Sequence, residues 1–241
     1  MSLTSTVSII DCMSGMKTHS DKYFDLGICD IPYGINVAKM AYTQEDNRPV
    51  KQKNGNTLRI KKAKYIHKDW DTVTPPQEYF NELCRITKHQ IIFGIEYTNW
   101  IGVGPGRIRW DKRVPDGLSF SRYEVAYCSL ISSEIEIPLL WAGMMQAKSI
   151  KEPTTMQGNK KLNEKRIHPC HKPIMLYDIL FQKFIPNGGR VIDTHLGGGS
   201  SRISADRAGN IDFTGYEIDA DYLNPHIERW NKYKSIQSLF F

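Results

Sequence analysis

Long apolar runs are missing from this 241-residue sequence. No stretch approaches the length that a bilayer-spanning helix needs, and the first residues, MSLTSTVSII, lack the charged segment and apolar core of a secretory signal. Both absences exclude membrane classes and lead to the expectation of a cytoplasmic protein. Cysteine is scarce too: Cys12, Cys29, Cys84, Cys128 and Cys170 are odd in number and widely spaced, with no C-x-x-C pair. That pattern argues against a disulfide framework and a zinc finger. Internal repeats and low-complexity tracts are absent as well. Acidic residues are missing from one strongly basic segment. Residues 48–68 hold eight Lys or Arg and no Asp or Glu, a local charge of +8 against +6 for the whole chain.

With 40% hydrophobic residues, the chain can bury one substantial core. Short apolar runs alternate with helix-compatible segments, the pattern of an α/β sheet flanked by helices. Strands are expected over Val7–Ile10, Leu26–Cys29, Gln90–Phe93, Arg107–Trp110, Tyr123–Leu130, Arg190–Asp193 and Asp212–Tyr216. Helical spacing of Tyr79, Phe80, Leu83 and Ile86 predicts a helix over Pro75–Lys88, and Leu176, Ile179, Leu180 and Phe184 predict another over Pro173–Phe184. The expectation is a single domain over residues 1–241, interrupted by a basic insert at 35–69 and a variable region at 132–167 with weak periodicity.

Two motifs carry chemistry. The run Asp30-Ile31-Pro32-Tyr33-Gly34 follows a buried strand, which places Asp30 at the carboxyl edge of the sheet, where open α/β folds bind ligands. A carboxylate and a backbone carbonyl there can accept both hydrogens of an exocyclic amino group and aim its lone pair. Taken alone, the same run also fits a strand entering an ordinary proline turn. The second motif is Asp193-Thr194-His195-Leu196-Gly197-Gly198-Gly199-Ser200-Ser201, a strand running into a glycine loop and a helix that extends to Ala208. A further strand ends in Glu217-Ile218, an acid placed to accept hydrogen bonds from ribose hydroxyls. This spacing also suits a nicotinamide dehydrogenase, although the strict G-x-G-x-x-G is absent. His168-Pro169-Cys170-His171-Lys172-Pro173 lies upstream. Its His and Cys residues could be metal ligands, but no nearby cluster completes a four-coordinate site, and no metal is expected.

In this order the motifs resemble the permuted, beta-group amino DNA methyltransferases, with their D-P-P-Y motif ahead of the glycine loop. Ile31 departs from the second position of that motif. Pro32 still confines Ile31 to extended backbone. Thr194, His195 and Gly198 depart from the family's D-P-F-x-G-S-G-T-T. His168 to Pro173 resembles H-P-x-x-K-P, and Asp11-Cys12 resembles the acid near the cofactor adenine.

The resemblance implies a Rossmann-like fold with a seven-stranded, mostly parallel sheet and helices on both faces. It also implies S-adenosylmethionine as cofactor and transfer of a methyl group to adenine N6 of a flipped DNA base. Adenine follows from Asp30, since cytosine-N4 members usually begin the motif with serine. A DNA cytosine-N4 methyltransferase, an RNA adenine methyltransferase and a catalytically degenerate DNA-binding module are the alternatives. On this reading Asp30, Ile31, Pro32 and Tyr33 act on the base, with the Ile31 carbonyl as second acceptor and Tyr33 as a stacking face. The cofactor set is Asp11, Cys12, Asp30, His171, Lys172, Asp193, Leu196, Gly197, Gly198, Gly199, Ser200, Ser201, Glu217 and Ile218. DNA phosphates would meet Arg48, Lys51, Lys53, Arg59, Lys61, Lys62 and Lys64. Region 132–167 would be the target-recognition part. The protein would be a monomer or homodimer, and a companion restriction endonuclease is a conceivable partner.

Overall fold

The computed structural model describes residues 3–36, 49–51, 55, 57–59, 71–100, 102–117, 121–167 and 170–238. At its centre, strands β1 (Ser5–Ile9), β2 (Phe24–Asp30), β5 (Thr87–Phe93), β6 (Arg107–Asp111), β7 (Tyr123–Cys128), β8 (Glu134–Pro138), β12 (Gly189–Asp193) and β13 (Ile211–Glu217) form one sheet. Their order across it is β1-β13-β12-β2-β5-β7-β6-β8. All pairings are parallel except the two made by β7.

The sheet therefore has eight strands, not the expected seven. The extra strand is β8, inside the region read as variable. Its Ile135 and Ile137 alternate with Glu134 and Glu136, and this short edge strand pairs with β6 through Ile108↔Ile135 and Trp110↔Ile137. The alternation was present in the sequence but too brief to stand out. The rest of that region contributes a second sheet of three strands, β9 (Trp141–Ala142), β10 (Met145–Ser149) and β11 (Glu152–Met156).

Helices cover both faces, because successive residues of buried parallel strands point to opposite sides. Leu26, Ile28, Ile91, Phe93, Val191 and Phe213 share one cluster with Leu176, Leu180 and Phe181 of α3 (Ile174–Phe184) and Ala205 of α4 (Ser200–Ala208). Cys29, Ile92, Ile192 and Tyr216 face the other way, onto Met16 of α1 (Cys12–Met16) and Tyr79, Phe80, Leu83 and Ile86 of α2 (Gln77–Ile86). The α2 pattern predicted from the sequence is thus its buried face. Its expected last two residues, Thr87 and Lys88, open β5 instead. Helix α5 (Ala220–Gln237), which includes Pro225, had no clear apolar stripe in the sequence and buries only Tyr222, Leu223 and His226.

Strand order reverses between β12 and β2, which lie side by side. From β12 the chain builds outwards through α4 and β13, and from β2 through α2 and β5. Loops leaving the carboxyl ends of β12 and β2 therefore diverge and open a crevice. Both chemistry-bearing motifs sit there. Of the basic insert, strands β3 (Pro49–Lys51) and β4 (Thr57–Arg59) form an antiparallel pair that carries Lys51 and Arg59. Arg48, Lys53, Lys61, Lys62 and Lys64 lie outside the described residues, as do Trp70, His168 and Pro169. Among the described residues no helix is long and apolar enough to cross a membrane, and no metal-binding cluster occurs.

Candidate active site

A cavity of about 280 Å³ occupies the crevice. Asp30, Ile31, Pro32 and Tyr33 line it on one side, Leu196, Gly197, Gly198, Ser200, Glu217 and Ile218 on the other, and His171 and Lys172 between them. Asp11 and Cys12 line its far end. Of the expected residues, Asp193, Gly199 and Ser201 lie behind the wall rather than in it. Ser201 Oγ donates to Asp193 Oδ2 at 2.6 Å and the His195 N–H donates to Oδ1 at 3.0 Å, so Asp193 braces the loop from beneath. Burial nevertheless pushes its carboxyl up to about 7, against that stabilisation.

The glycine loop is shaped by backbone that side chains rarely adopt. Gly199, at the N-cap of α4, has φ 69°, and a Cβ there would come within 1.8 Å of His226 Nδ1. A Cβ on Gly198 would come within 2.6 Å of His171 Nδ1. Glu217 holds the loop from the opposite strand: its Oε2 accepts from Gly197 N at 2.8 Å and its Oε1 from Asp219 N at 2.9 Å. Each carboxylate oxygen keeps a second lone pair for another donor. Burial raises the Glu217 carboxyl above its usual range, partly offset by these backbone donors.

His171 is fixed from behind. Its Nε2 lies 2.7 Å from Glu164 Oε1, and Arg229 also donates to that oxygen. The neighbouring His171, Arg229 and Ile174 groups hold Glu164 ionised, below its usual range despite burial, while burial keeps His171 from charging. Nε2 therefore carries the ring proton. The bare Nδ1 is buried with no hydrogen-bond partner among the described residues. Arg229 also donates to the Gly198 carbonyl, which ties α5 to the loop.

At the other end, Asp30 belongs to a partly buried set of charges drawn from four parts of the chain. Lys172 Nζ contacts Asp30 Oδ1 and lies 3.1 Å from Glu124 Oε2, while Lys112 Nζ lies 3.0 Å from Glu124 Oε1. Tyr33 donates its hydroxyl to Asp30 Oδ1 at 2.9 Å and stacks on Tyr97 at 4.7 Å between centroids, 12° from parallel. Asp71 Oδ1 accepts from the N–H groups of Tyr33 at 2.7 Å and Gly34 at 2.9 Å, fixing the turn after Pro32. Burial raises the Asp30 carboxyl, the Lys172 ammonium pulls it down and Glu124 pushes it up again, with a net rise. Burial likewise opposes the charge on Glu124, yet Lys172 and Lys112 hold its carboxyl at about 2.

Sequence reasoning did not single out Glu124, Lys112, Asp71, Tyr97, Glu164 or Arg229 as site residues. A signal existed for the first two, as charged residues within or directly after apolar strands. Glu164 and Arg229 reach the site only through tertiary folding. Cys12 lines the cavity with its thiol pushed up to about 11 by burial, so it is a thiol rather than a thiolate at neutral pH. His195, left without a role, also lines the cavity. Its imidazole is held down at about 4 by burial, and its Nδ1 lies 3.0 Å from Thr194 Oγ1.

No protein-family model matches the sequence, and no curated protein matches it. Solved structures do. M1.HpyAVI in its complex with S-adenosylmethionine is similar over 94% of this chain and 100% of its own, with a TM-score of 0.53 and 14% identity. The PvuII DNA methyltransferase, which is cytosine-N4-specific, is similar over 98% of this chain and 92% of its own, with a TM-score of 0.52 and 11% identity. The chain thus has the Rossmann-like α/β fold of methyltransferase structures.

Proposed function

We propose that this chain is a DNA methyltransferase that takes its methyl group from S-adenosylmethionine and acts on adenine N6 of an extruded base. One observation carries the reading. A single cavity joins the Asp30 to Tyr33 turn to the glycine loop and Glu217, so a bound cofactor and a target amino group would share one space. The residues fit the cofactor. The loop offers bare backbone where a side chain would clash, and Glu217 retains acceptor capacity for ribose hydroxyls. His171 Nδ1, without a partner among the described residues, is an acceptor suited to an ammonium group.

When bound, S-adenosylmethionine supplies an electrophilic methyl group on sulfur. The chain's own part is to bind and orient. An adenine amino group delocalises its lone pair into the ring, and acceptors for both of its hydrogens, the Asp30 carboxylate and the Ile31 carbonyl, localise that pair for attack. The low-dielectric surroundings of the crevice strengthen both hydrogen bonds. The base must leave the duplex to reach the cavity. The basic insert, with Arg48, Lys51, Lys53, Arg59, Lys61, Lys62 and Lys64, would grip phosphates, and the lobe at 132–167 would contact the recognition site.

Likeness to a cytosine-N4-specific enzyme keeps cytosine as a second reading. Nucleoside analysis of DNA from an expressing host distinguishes the two, with N6-methyladenine expected and N4-methylcytosine supporting the alternative. Asp30→Ala is expected to abolish transfer while cofactor binding persists, and Glu217→Ala to weaken cofactor binding. Absence of any methylated base, together with no calorimetric binding of S-adenosylmethionine, overturns the proposal.

A further inference from the structure

The methyl-transfer scheme gives no work to Lys172, Glu124 and Lys112, yet the fold buries Lys172 and Lys112 and partly buries Glu124 beside Asp30. Buried ion pairs add little stability over well-packed apolar residues, so a chain of four alternating charges that includes two buried lysines calls for another reason. The sequence motif suggested that Lys172 serves the cofactor. Its ammonium instead contacts Asp30, Glu124 and the Tyr33 hydroxyl, the last at 2.9 Å, and only its backbone carbonyl reaches the glycine side, where Ser200 Oγ donates to it at 2.7 Å.

Resting on the methyltransferase reading, we propose that Lys172 is a positioning residue that keeps Asp30 ionised and fixes its Oδ1, so that Oδ2 is presented to the amino group of the target base. Both the ammonium and the Tyr33 hydroxyl fall on Oδ1, and Oδ2 is in neither contact. Two donors on Oδ1 restrict rotation of the carboxylate, and protonation would fall on Oδ2, turning the oxygen offered to the amino group from an acceptor into a donor. Glu124 anchors Lys172 from β7, and Lys112 neutralises the second carboxylate, leaving the set with no net charge. The titratable groups around Asp30 are Lys172 ahead of α3, Tyr33 on its own turn, Glu124 on β7, Asp193 on β12, and Cys170 and Tyr177. Lys172 is the cation among them that touches Asp30. Its charge lowers the Asp30 pKa, so removing it raises that pKa, whereas removing the Glu124 charge lowers it.

The test is titration of the Asp30 carboxyl carbon by NMR, in the free protein without DNA or cofactor. The Asp30 midpoint is expected to rise by at least about one pH unit in Lys172→Met, to stay near the parent in Lys172→Arg and to fall in Glu124→Gln. An unchanged midpoint in Lys172→Met overturns the proposal. Should that variant not fold, an unmoved midpoint in Glu124→Gln overturns it equally. In methyl transfer, the acid limb of kcat/KM should follow the Asp30 midpoint from variant to variant, while affinity for S-adenosylmethionine in Lys172→Met stays within about threefold of the parent. Lost affinity with an unmoved Asp30 midpoint would make Lys172 a cofactor ligand and overturn the proposal. A parent chain that methylates no DNA would overturn the functional reading alone, and the Asp30 titration would still decide the part assigned to Lys172.

Discussion

The Ser201 hydroxyl donates to Asp193 at 2.6 Å, joining the first turn of α4 to the last residue of β12 beneath the glycine loop. Because burial raises Asp193 from 3.8 to about 7, the folded protein holds this proton well above the pH at which the unfolded chain releases it. The resulting stability is complete below the unfolded pKa and is lost as pH rises through 7. Asp193→Asn removes the titration. Stability of the Asn variant relative to the parent should therefore grow between about pH 4 and about pH 7.5, by up to about 4 kcal/mol. Urea denaturation across that range measures the difference, and a constant offset would mean that Asp193 does not titrate there.

Gly94 has φ 85°, and a Cβ on it would lie 2.2 Å from Tyr33 Cε1. Gly94→Ala should push the Tyr33 ring off Tyr97 and its hydroxyl off Asp30. We expect methyl transfer to fall at least about a hundredfold while cofactor affinity changes less than about threefold, since Gly94 touches Tyr33 and is not among the residues lining the cavity. Single-turnover transfer and calorimetry separate the two, and equal losses in both would point to general unfolding.

Arg229 reaches from α5 to the Gly198 carbonyl and to Glu164. Replacing it with Met frees the loop peptide and leaves Glu164 and His171 to share a buried charge. Cofactor affinity should weaken by roughly tenfold, about 1.4 kcal/mol, with turnover at saturating cofactor largely kept. A fall in turnover with unchanged affinity would place the role of Arg229 elsewhere.

The insert lysines predict a different signature. Neutralising Lys61, Lys62 and Lys64 together should weaken DNA binding across unrelated sequences and flatten the dependence of log Kd on log salt by up to about 2.7, if each lysine meets one phosphate. Dissociation constants at several salt concentrations give the slope. An unchanged slope would mean that these side chains meet no phosphates, and lost discrimination among sequences would mean that they read bases.

The legible parts of this molecule were those whose signal is local. Helix α2 showed its buried face as Tyr79, Phe80, Leu83 and Ile86, and the two motifs showed themselves as a proline turn and a glycine run, each after an apolar strand. Strand β8 was missed because two isoleucines alternating with glutamates look no different from a solvated loop until Ile108 and Trp110 of β6 lie alongside. Tyr33 was expected to offer a stacking face, whereas its hydroxyl is also a donor to Asp30. Only the fold brings Glu124, far along the chain, to Lys172. Such pairings cost nothing in local pattern and leave no trace in it.

Strand β1 pairs along its length with β13, and Thr4 N reaches Asp212 Oδ1, 208 residues away. On the ribosome, β1 must therefore wait for β13. At typical elongation rates that wait is on the order of ten to forty seconds. Throughout it, β2 and Asp30 are already outside the ribosome, but neither β12 nor the glycine loop exists beside them. A nascent or prematurely terminated chain would thus carry the Asp30 turn without the loop that faces it. Competence arrives only once β12, the glycine loop and β13 have all been made.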